Sequence, residues 1–409
     1  MSDVWRVCAG YMHNRRMTET DLVIAGAGIG GLAAAYALAR QGASVRVLER
    51  SGEFSEVGAG IQIGPNVTRI LQAWGLEEAL RAVAAFPVRL QARDARSGRL
   101  VGELPLGERS QAVYGAPYAS IHRADLHALL AQAALQAGAQ VHLGRTLDVI
   151  EQHPERLVLK GSDAQDQAWQ LETPALVGAD GVWGHTRQAL GLNDNARFSG
   201  QLAYRALVQQ SDLPIHLRTD QVTVWMGPKV HVVHYPVQAG HGQNMVVIVH
   251  GPKPEHPQDW DQEAVQQTLW AGLGTVCPLL RERLEAVPTW RLWALHDRIP
   301  LTGAHQMARD RIALLGDAAH PMRPYLAQGA GMAIEDAHEL ARCWRQPIPV
   351  EQRLAQYAQH RWARNALVQA RSIRNGEIFH AQGPLAWGRN LSLQLLGSRL
   401  MDVPWLYGA

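Results

Sequence analysis

The sequence predicts an α/β fold: a wound, largely parallel sheet, an inserted mixed β-sheet domain and a helical C-terminus. Three observations predict it. Near the start, "DLVIAG", "AGIGGLAAAYALARQG" and "ASVRVLER" read as strand, glycine turn and helix, then strand. Between Phe198 and about Trp293 the texture changes to long β-like runs, "QVTVWM", "KVHVVHYPV" and "NMVVIVH". From Glu351 onward, apolar residues recur at helical spacing in "EQRLAQYAQHRWARNALVQARSIR".

The elements follow in order. Gly42 stops the first helix, and a helix around Val67 to Trp74 follows the loop "GIQIGPN". Residues 88 to 106 read as two short strands joined by the hairpin-like turn "DARSG". "HRADLHALLAQAALQAG" is an amphipathic helix, with strands near "QVHLG" and "RLVLKG" after it. "PALVGADGVWGHTR" then resumes the first domain's pattern, and "RIALLGD" returns to it after the inserted sheet. The expected division is a nucleotide-binding domain over 17–87, 118–197 and 296–345, a substrate domain over 88–117 and 198–295, and a helical region over 346–409. Residues 1–16 are expected to be a disordered extension, with Met17 as an alternative start.

Composition narrows the function. Hydrophobic residues make up 47% of the 409 and charged residues 19%, as in a globular protein with a real core. A net charge of +2 gives no reason to expect a nucleic-acid partner. Cys8, Cys277 and Cys343 are scattered, which fits a reducing, cytoplasmic setting and argues against a disulfide framework. No apolar run approaches the roughly 18 residues of a membrane span, and no histidine–carboxylate spacing calls for a metal. There is no Walker sequence and no GxSxG elbow, so phosphoryl transfer and serine hydrolysis lack support.

The first chemical signal is Gly26, Gly28 and Gly31, a GxGxxG between a hydrophobic strand and an alanine-rich helix. The glycines serve a tight turn, close backbone approach to a pyrophosphate and helix–strand packing. Unpaired N–H groups at the helix start attract the phosphates. Glu49 ends the second strand, where a carboxylate can accept bonds from a ribose diol. This fingerprint alone does not separate NAD from FAD. Two weaker signals follow: Asp180-Gly181 with Arg187 in "GADGVWGHTR", and Gly316-Asp317 in "GDAAHP". Singly, each aspartate reads equally well as a helix cap.

Taken together and in this order, these motifs resemble the single-component FAD-dependent aromatic hydroxylases, in particular the salicylate, 3-hydroxybenzoate and 6-hydroxynicotinate branches. The resemblance runs from Leu22 to the terminal "WLYG". It implies the p-hydroxybenzoate hydroxylase-like architecture: a Rossmann-type FAD-binding domain carrying an inserted substrate domain. It also implies a cytoplasmic, homodimeric enzyme of aromatic catabolism. FAD would be bound, NADH or NADPH and O2 would be co-substrates, and a C4a-hydroperoxyflavin would hydroxylate a small phenolic acid. Gly26, Gly28 and Gly31 would hold the pyrophosphate, Glu49 the adenosine ribose and Arg123 the ribityl-phosphate region. Asp180 would belong to the motif shared between FAD and nicotinamide, and Asp317 would bind the ribityl chain. The family often has serine where this chain has Gly184.

The loop after Asp317 then has a reading. Gly329, Ala330 and Gly331 start a helix whose N–H groups would face the flavin's anionic ring edge, and their small size permits close approach. Downstream, Ala333, Ala337, Leu340, Ala341 and Trp344 share one helical face as core, while Glu335 and Asp336 read as solvated first-turn acids. Pro324 would lie over the reactive side of the ring. On the inserted sheet, the strand period of two puts His231 and Tyr235 on one face and His234 on the other. A histidine, or a tyrosine relaying a proton, can make a phenol phenolate-like, so His231 and Tyr235 are the catalytic candidates. Gln62 and Tyr325 complete the expected pocket with Pro324; Arg323 reads as a solvated loop residue. Two rivals remain: a flavin-dependent reductase or epoxidase of a lipid-like substrate, and a non-catalytic binding protein of the same fold.

Overall fold

The computed structural model describes residues 20–54, 59–257, 259 and 262–408. The expectations for residues 1–16 and Met17 lie outside them. A six-stranded sheet runs in the order Ala308–Arg309, Ile312–Leu314, Leu176–Gly178, Leu22–Ala25, Val45–Leu48, Gln140–His142. All neighbours are parallel except the short edge pair Ala308–Arg309 and Ile312–Leu314. Leu22–Ala25 and Val45–Leu48 are buried at every position, which is why they read as unbroken apolar runs rather than alternating ones.

The helix Ile29–Ala39 leaves the first strand and packs against Arg123–Gln136 and Gly329–Trp344. Ala33, Ala34, Ala35 and Ala37 are fully buried, and their small side chains let three helices meet over one strand end. Arg123–Gln136 is buried on most sides rather than amphipathic, flanking Ile29–Ala39, which is the middle helix of that stack.

The second sheet has eight strands: Gln262–Glu263, Arg291–Asp297, Arg197–Gln209, Gly242–His250, Val230–Val237, Val222–Gly227, Arg89–Asp94, Leu100–Pro105. It is mixed, since Val222–Gly227 runs parallel to Arg89–Asp94 while the other pairs are antiparallel. One face packs on the helices Gln266–Leu273 and Pro278–Glu285 through Val230, Val232, Val247 and Leu280. The opposite face, carrying His231, Val233 and Tyr235, turns toward the first domain. A two-stranded ribbon, Gly60–Ile63 with Ala119–His122, bridges the two sheets. At Gly60 the ribbon comes so close that a Cβ would lie 2.7 Å from both Asn244 and the Tyr235 ring.

The chain ends in helices led by Val350–Phe379, thirty residues long. This helix lies along Gly329–Trp344, and its Gly376 leaves room for the Tyr325 ring, which a Cβ would approach to 2.6 Å. The C-terminal "WLYG" folds back so that Tyr407 covers Gly64.

Candidate active site

The glycine turn has two kinds of glycine. Gly26 has φ +103°, and a Cβ there would meet the Ala179 carbonyl oxygen at 2.4 Å. A Cβ on Gly31 would lie 1.9 Å from the Gly26 carbonyl oxygen. Both are demanded by the protein's own packing. Gly28 is different: a Cβ there would meet nothing within 4 Å. It caps the helix Ile29–Ala39 with extended backbone, no side-chain cap and no acid in the first turn. No described residue requires glycine at 28, so the open face is the one a diphosphate would approach. Gly30, overlooked in the sequence, packs against Leu315 and Ala333, where a Cβ would approach to 2.7 and 3.2 Å.

Glu49 reaches back to this turn. Its carboxylate accepts hydrogen bonds from the Ala27 N–H at 2.8 Å and the Ser51 N–H at 2.9 Å. It therefore braces the loop at the edge where a ribose would lie.

Asp180 is held from one side only. Its Oδ2 accepts hydrogen bonds from the Thr186 N–H at 2.9 Å and the Thr186 hydroxyl at 2.8 Å. Its Oδ1 is buried with no partner among the described residues. Burial raises this carboxyl's pKa, and the Thr186 bonds oppose the rise. Gly184 has a packing reason: a Cβ there would fall 2.0 Å from the Asp180 carboxyl carbon. Thr186 supplies a hydroxyl to Asp180 from within the same loop. Arg187, fully enclosed, ties this loop to the next by donating to the carbonyls of Ala318 and Ala319 at 2.9 and 3.2 Å.

Asp317 lies in that next loop. Its side chain reaches solvent, yet no described protein group hydrogen-bonds it. Desolvation by the surrounding walls pushes its carboxyl up, opposed by the charges of His320 and Arg123. An acid that is both accessible and crowded lies inside a cleft. Arg123 lies half-buried, its pKa lowered to about 10 by desolvation, with Asp317 opposing and Arg205 adding to the shift.

The segment Pro324–Leu326 makes a single tight turn, and Ala327 adopts φ +52° to enter the helix Gly329–Trp344. Gly329, like Gly28, has nothing within 4 Å of a Cβ position. Ala330 is half-buried, and Gly331 faces the Gln328 side chain. Gly28 and Gly329 thus both leave open space beside a bare helix start. An accessible acid and an orphaned carboxylate oxygen add polar groups. This donor and acceptor set fits a flavin dinucleotide.

Glu335 and Asp336 correct the sequence reading. They are 8% and 0% exposed, not solvated, because Val350–Phe379 lies across them. Asp336 accepts bonds from His320 Nε2 at 2.6 Å, Arg361 at 2.8 Å, Asn365 at 2.8 Å and the Gly316 N–H at 3.2 Å. Glu335 pairs with Arg361, Arg364 and Asn66. The apolar positions of that helix, Ala333, Ala337, Leu340, Ala341 and Trp344, are all buried. Arg323 also departs from expectation: it pairs with the buried Asp297 at 2.6 Å instead of extending into water. The absence of a metal-ligand spacing in the sequence did not foresee that Glu339, Cys343 and His360 converge. Arg342 bonds both Glu339 and His360 there, so a cation would meet a guanidinium.

The pocket candidates divide into two groups on one strand. Tyr235 is buried, its hydroxyl beside the side chains of Gln62 and Asn244, and burial pushes its pKa well up. Gln62 in turn accepts a hydrogen bond from Tyr118 at 2.7 Å. His231, four residues away and so about 13 Å along the strand, meets a different set. Its ring centroid is 4.9 Å from Tyr325 and 5.6 Å from Phe379, and its Nδ1 lies 2.8 Å from His380 Nε2. Tyr325 Oη is enclosed without a hydrogen-bond partner of ordinary geometry, although Gln201 lies beside it. The half-buried Val233 sits between the two groups. His234 points to the far face, beside Trp225. Sequence reasoning missed Asn244, Tyr118, Gln201, Phe379 and His380, which reach the site only through sheet register and the returning helix.

The chain is similar to known proteins over most of its length. A family model described as an FAD binding domain matches residues 19–372. The chain is 38% identical over 397 residues to 3-hydroxybenzoate 6-hydroxylase from Polaromonas naphthalenivorans, covering 95% of this chain and 96% of that one. It is 33% identical over 328 residues to 6-hydroxynicotinate 3-monooxygenase from Pseudomonas fluorescens, covering 79% and 82%. Among solved structures, a salicylate hydroxylase substrate complex superposes with a TM-score of 0.78 at 25% identity, covering 96% of each chain.

Proposed function

This chain belongs to the FAD binding domain family, and on that premise we propose that it is an FAD-dependent monooxygenase. Its substrate is a small phenolic aromatic acid of the salicylate, 3-hydroxybenzoate or hydroxynicotinate type, with NADH or NADPH and O2 as co-substrates. The observation that carries this reading is the pairing of open glycine faces at 28 and 329 with an accessible, unbonded Asp317, next to a pocket of aromatic and titratable side chains.

In this reading the turn from Gly26 to Gly31 holds the diphosphate, Glu49 the adenosine ribose, and Asp317 with Arg123 the ribityl end. Asp180 borders the nicotinamide approach. Gly329, Ala330 and Gly331 present backbone N–H groups to the ring edge, with Pro324 and Tyr325 over its reactive side. Bound FAD supplies the redox chemistry, accepting hydride and activating oxygen toward the aromatic ring. The chain's own tasks are to exclude water and to take the phenol proton. His231 is the proton acceptor, because burial and His380 keep it neutral. Tyr235, with its pKa raised, stays protonated and orients the substrate by hydrogen bonding alongside Gln62 and Asn244. Such a polar pocket supports a phenolic acid over the lipid-like alternative.

The test is a panel of hydroxybenzoates, hydroxynicotinates and isoprenoids, scored for NADH oxidation, oxygen uptake and hydroxylated product. A phenolic acid is expected to stimulate all three together; stimulation by an isoprenoid alone would overturn the reading. His231→Ala should lower product formation by roughly 100-fold or more while FAD retention stays near wild type. Equal loss of both would remove its catalytic role.

No described helix is long and apolar enough to cross a membrane. Cys277 and Cys343 are buried free thiols, which supports a cytoplasmic setting. The helix Gly383–Leu396 exposes Trp387 at 70%, Leu391 at 37% and Leu395 at 74%, four residues apart along one face. A strip this apolar supports a homodimer closed over that helix. Sedimentation should read a dimer that Trp387→Glu converts to monomer; a wild-type monomer at working concentration would remove the proposal.

A further inference from the structure

Three histidines from three separate elements form one line. His231 lies on the strand Val230–Val237, His380 caps the end of the helix Val350–Phe379, and His250 ends the strand Gly242–His250. His231 Nδ1 is 2.8 Å from His380 Nε2, and His380 Nδ1 is 2.9 Å from His250 Nε2. Ring centroids are 5.1 and 5.0 Å apart along the line. Exposure rises along it: His231 is 2% exposed, His380 7%, and His250 is partly open to solvent at its strand end. Both links join the Nδ1 of one ring to the Nε2 of the next. The line therefore has a direction, with His231 Nε2 at the enclosed end and His250 Nδ1 at the water end.

We propose that His231, His380 and His250 form a proton relay carrying the substrate's hydroxyl proton from the enclosed pocket to bulk water. The proposal rests on the phenolic-substrate reading above. The steps balance. The substrate O–H breaks, its electron pair stays on oxygen, and the proton goes to His231 Nε2. His231 Nδ1–H passes to His380 Nε2, His380 Nδ1–H passes to His250 Nε2, and His250 Nδ1–H passes to water. Each ring accepts at Nε2 and donates from Nδ1, so each must begin as the neutral Nδ1–H tautomer, an assignment that follows from the direction of the line.

The surroundings favour that neutral state. Burial pushes His231 well below the ordinary histidine range, and His380 adds to this. Burial lowers His380 to about 3, with further repulsion from His250 and Arg389. His250 is lowered by burial, then by Lys229 and Arg323. The charged groups facing the line are thus the cations Lys229, Arg323 and Arg389, with Arg323 itself paired to Asp297. A neutral imidazole can accept and donate in turn; a trapped imidazolium cannot. Two contacts set the geometry. The Lys229 N–H donates to the His380 carbonyl at 3.2 Å, fixing the helix end, while Tyr325 packs tilted and Phe379 edge-on against His231. The Gln201 amide nitrogen lies 3.4 Å from His250 Nε2, a longer contact than the imidazole link.

His380 and His250 act through His231 and are positioning residues. The test uses the flavin-loaded protein mixed rapidly with 3-hydroxybenzoate or 6-hydroxynicotinate. Binding is read from the flavin's visible spectrum, and deprotonation from the ultraviolet phenolate band and a pH indicator. His380→Phe should leave the binding constant within about threefold but slow phenolate formation and proton release by roughly tenfold or more. His250→Ala, at an exposed position, should slow them likewise. Imidazole at millimolar concentration should restore the rate of His250→Ala, which a merely structural role would not allow. Unchanged proton release in both variants, with binding intact, overturns the relay and leaves the phenolic reading standing. If neither probe perturbs the flavin spectrum, the phenolic reading fails first and the relay falls with it.

Discussion

Replacing Gly28 and Gly31 separately by alanine is expected to split cofactor binding from folding. A Cβ at 31 would lie 1.9 Å from the Gly26 carbonyl oxygen, a backbone atom that moves only with the turn itself. Gly31→Ala should therefore cost roughly 3 kcal/mol, near the top of the usual range for overpacking, read as a lowered urea midpoint of the flavin-free protein. A Cβ at 28 meets no atom of the described residues within 4 Å, and the φ of −72° there suits any residue. Gly28→Ala should cost the flavin-free protein no more than about 1 kcal/mol as a changed helix cap. Its FAD affinity should nevertheless fall tenfold or more, about 1.4 kcal/mol, because the methyl fills the face that the diphosphate approaches. A Gly28→Ala protein that binds FAD as tightly as wild type would remove the diphosphate from this turn.

The second large effect is expected at Asp336, which touches no ligand. Four donors converge on its carboxylate, and two of them, the Gly316 N–H and His320, belong to the loop that carries Asp317. Asp336→Ala leaves Arg361 buried at 6% exposure with Glu335, Asn365 and the weak acceptor Met332 Sδ to answer it. Removing one side of such a network costs roughly 3–5 kcal/mol. Flavin occupancy should fall in parallel, because the Asp317 loop loses its anchor. Retention of both stability and flavin would show that the loop holds itself.

The pH dependence has a definite sign. Burial pushes the Asp336 carboxyl up, but the charges of His320 and Arg361 and the bonds from His320 and Asn365 hold it down to about 2. The folded value is thus below the unfolded one of about 3.9. Its stabilisation is complete above about pH 4 and is lost as pH falls toward about 2. Wild type should therefore lose stability through that window more steeply than Asp336→Ala does.

Much of this protein was legible without coordinates, because its signals are local. The strand Leu22–Ala25, the glycine turn and the alanine helix lie within one short stretch, and backbone sterics leave such a run little choice. The helix Val350–Phe379 was visible for the same reason, its apolar period being written along one segment. What the sequence hid were the partners of its charged and polar side chains. Glu335 and Asp336 look solvated in isolation, and only the later arrival of Arg361 and Asn365, about 25 positions on, makes burial tolerable for them. Arg323 changes character in the same way, once Asp297 is folded beneath it.

The inserted sheet makes the distinction sharpest. Alternation alone placed His231 and Tyr235 on one face, a consequence of the two-residue repeat that any extended strand obeys. It could not say that they keep different company, His231 with His380 and Tyr325, Tyr235 with Gln62 and Asn244. Those neighbours come from positions 62 to 380, and strand register and helix return alone decide which of them meet. By itself the sequence determined a dinucleotide clamp and an inserted sheet, because both are signalled by patterns written along short local stretches. The tertiary structure decided which acids are buried and which histidines touch, because those depend on where distant segments come to lie and on how much water they displace.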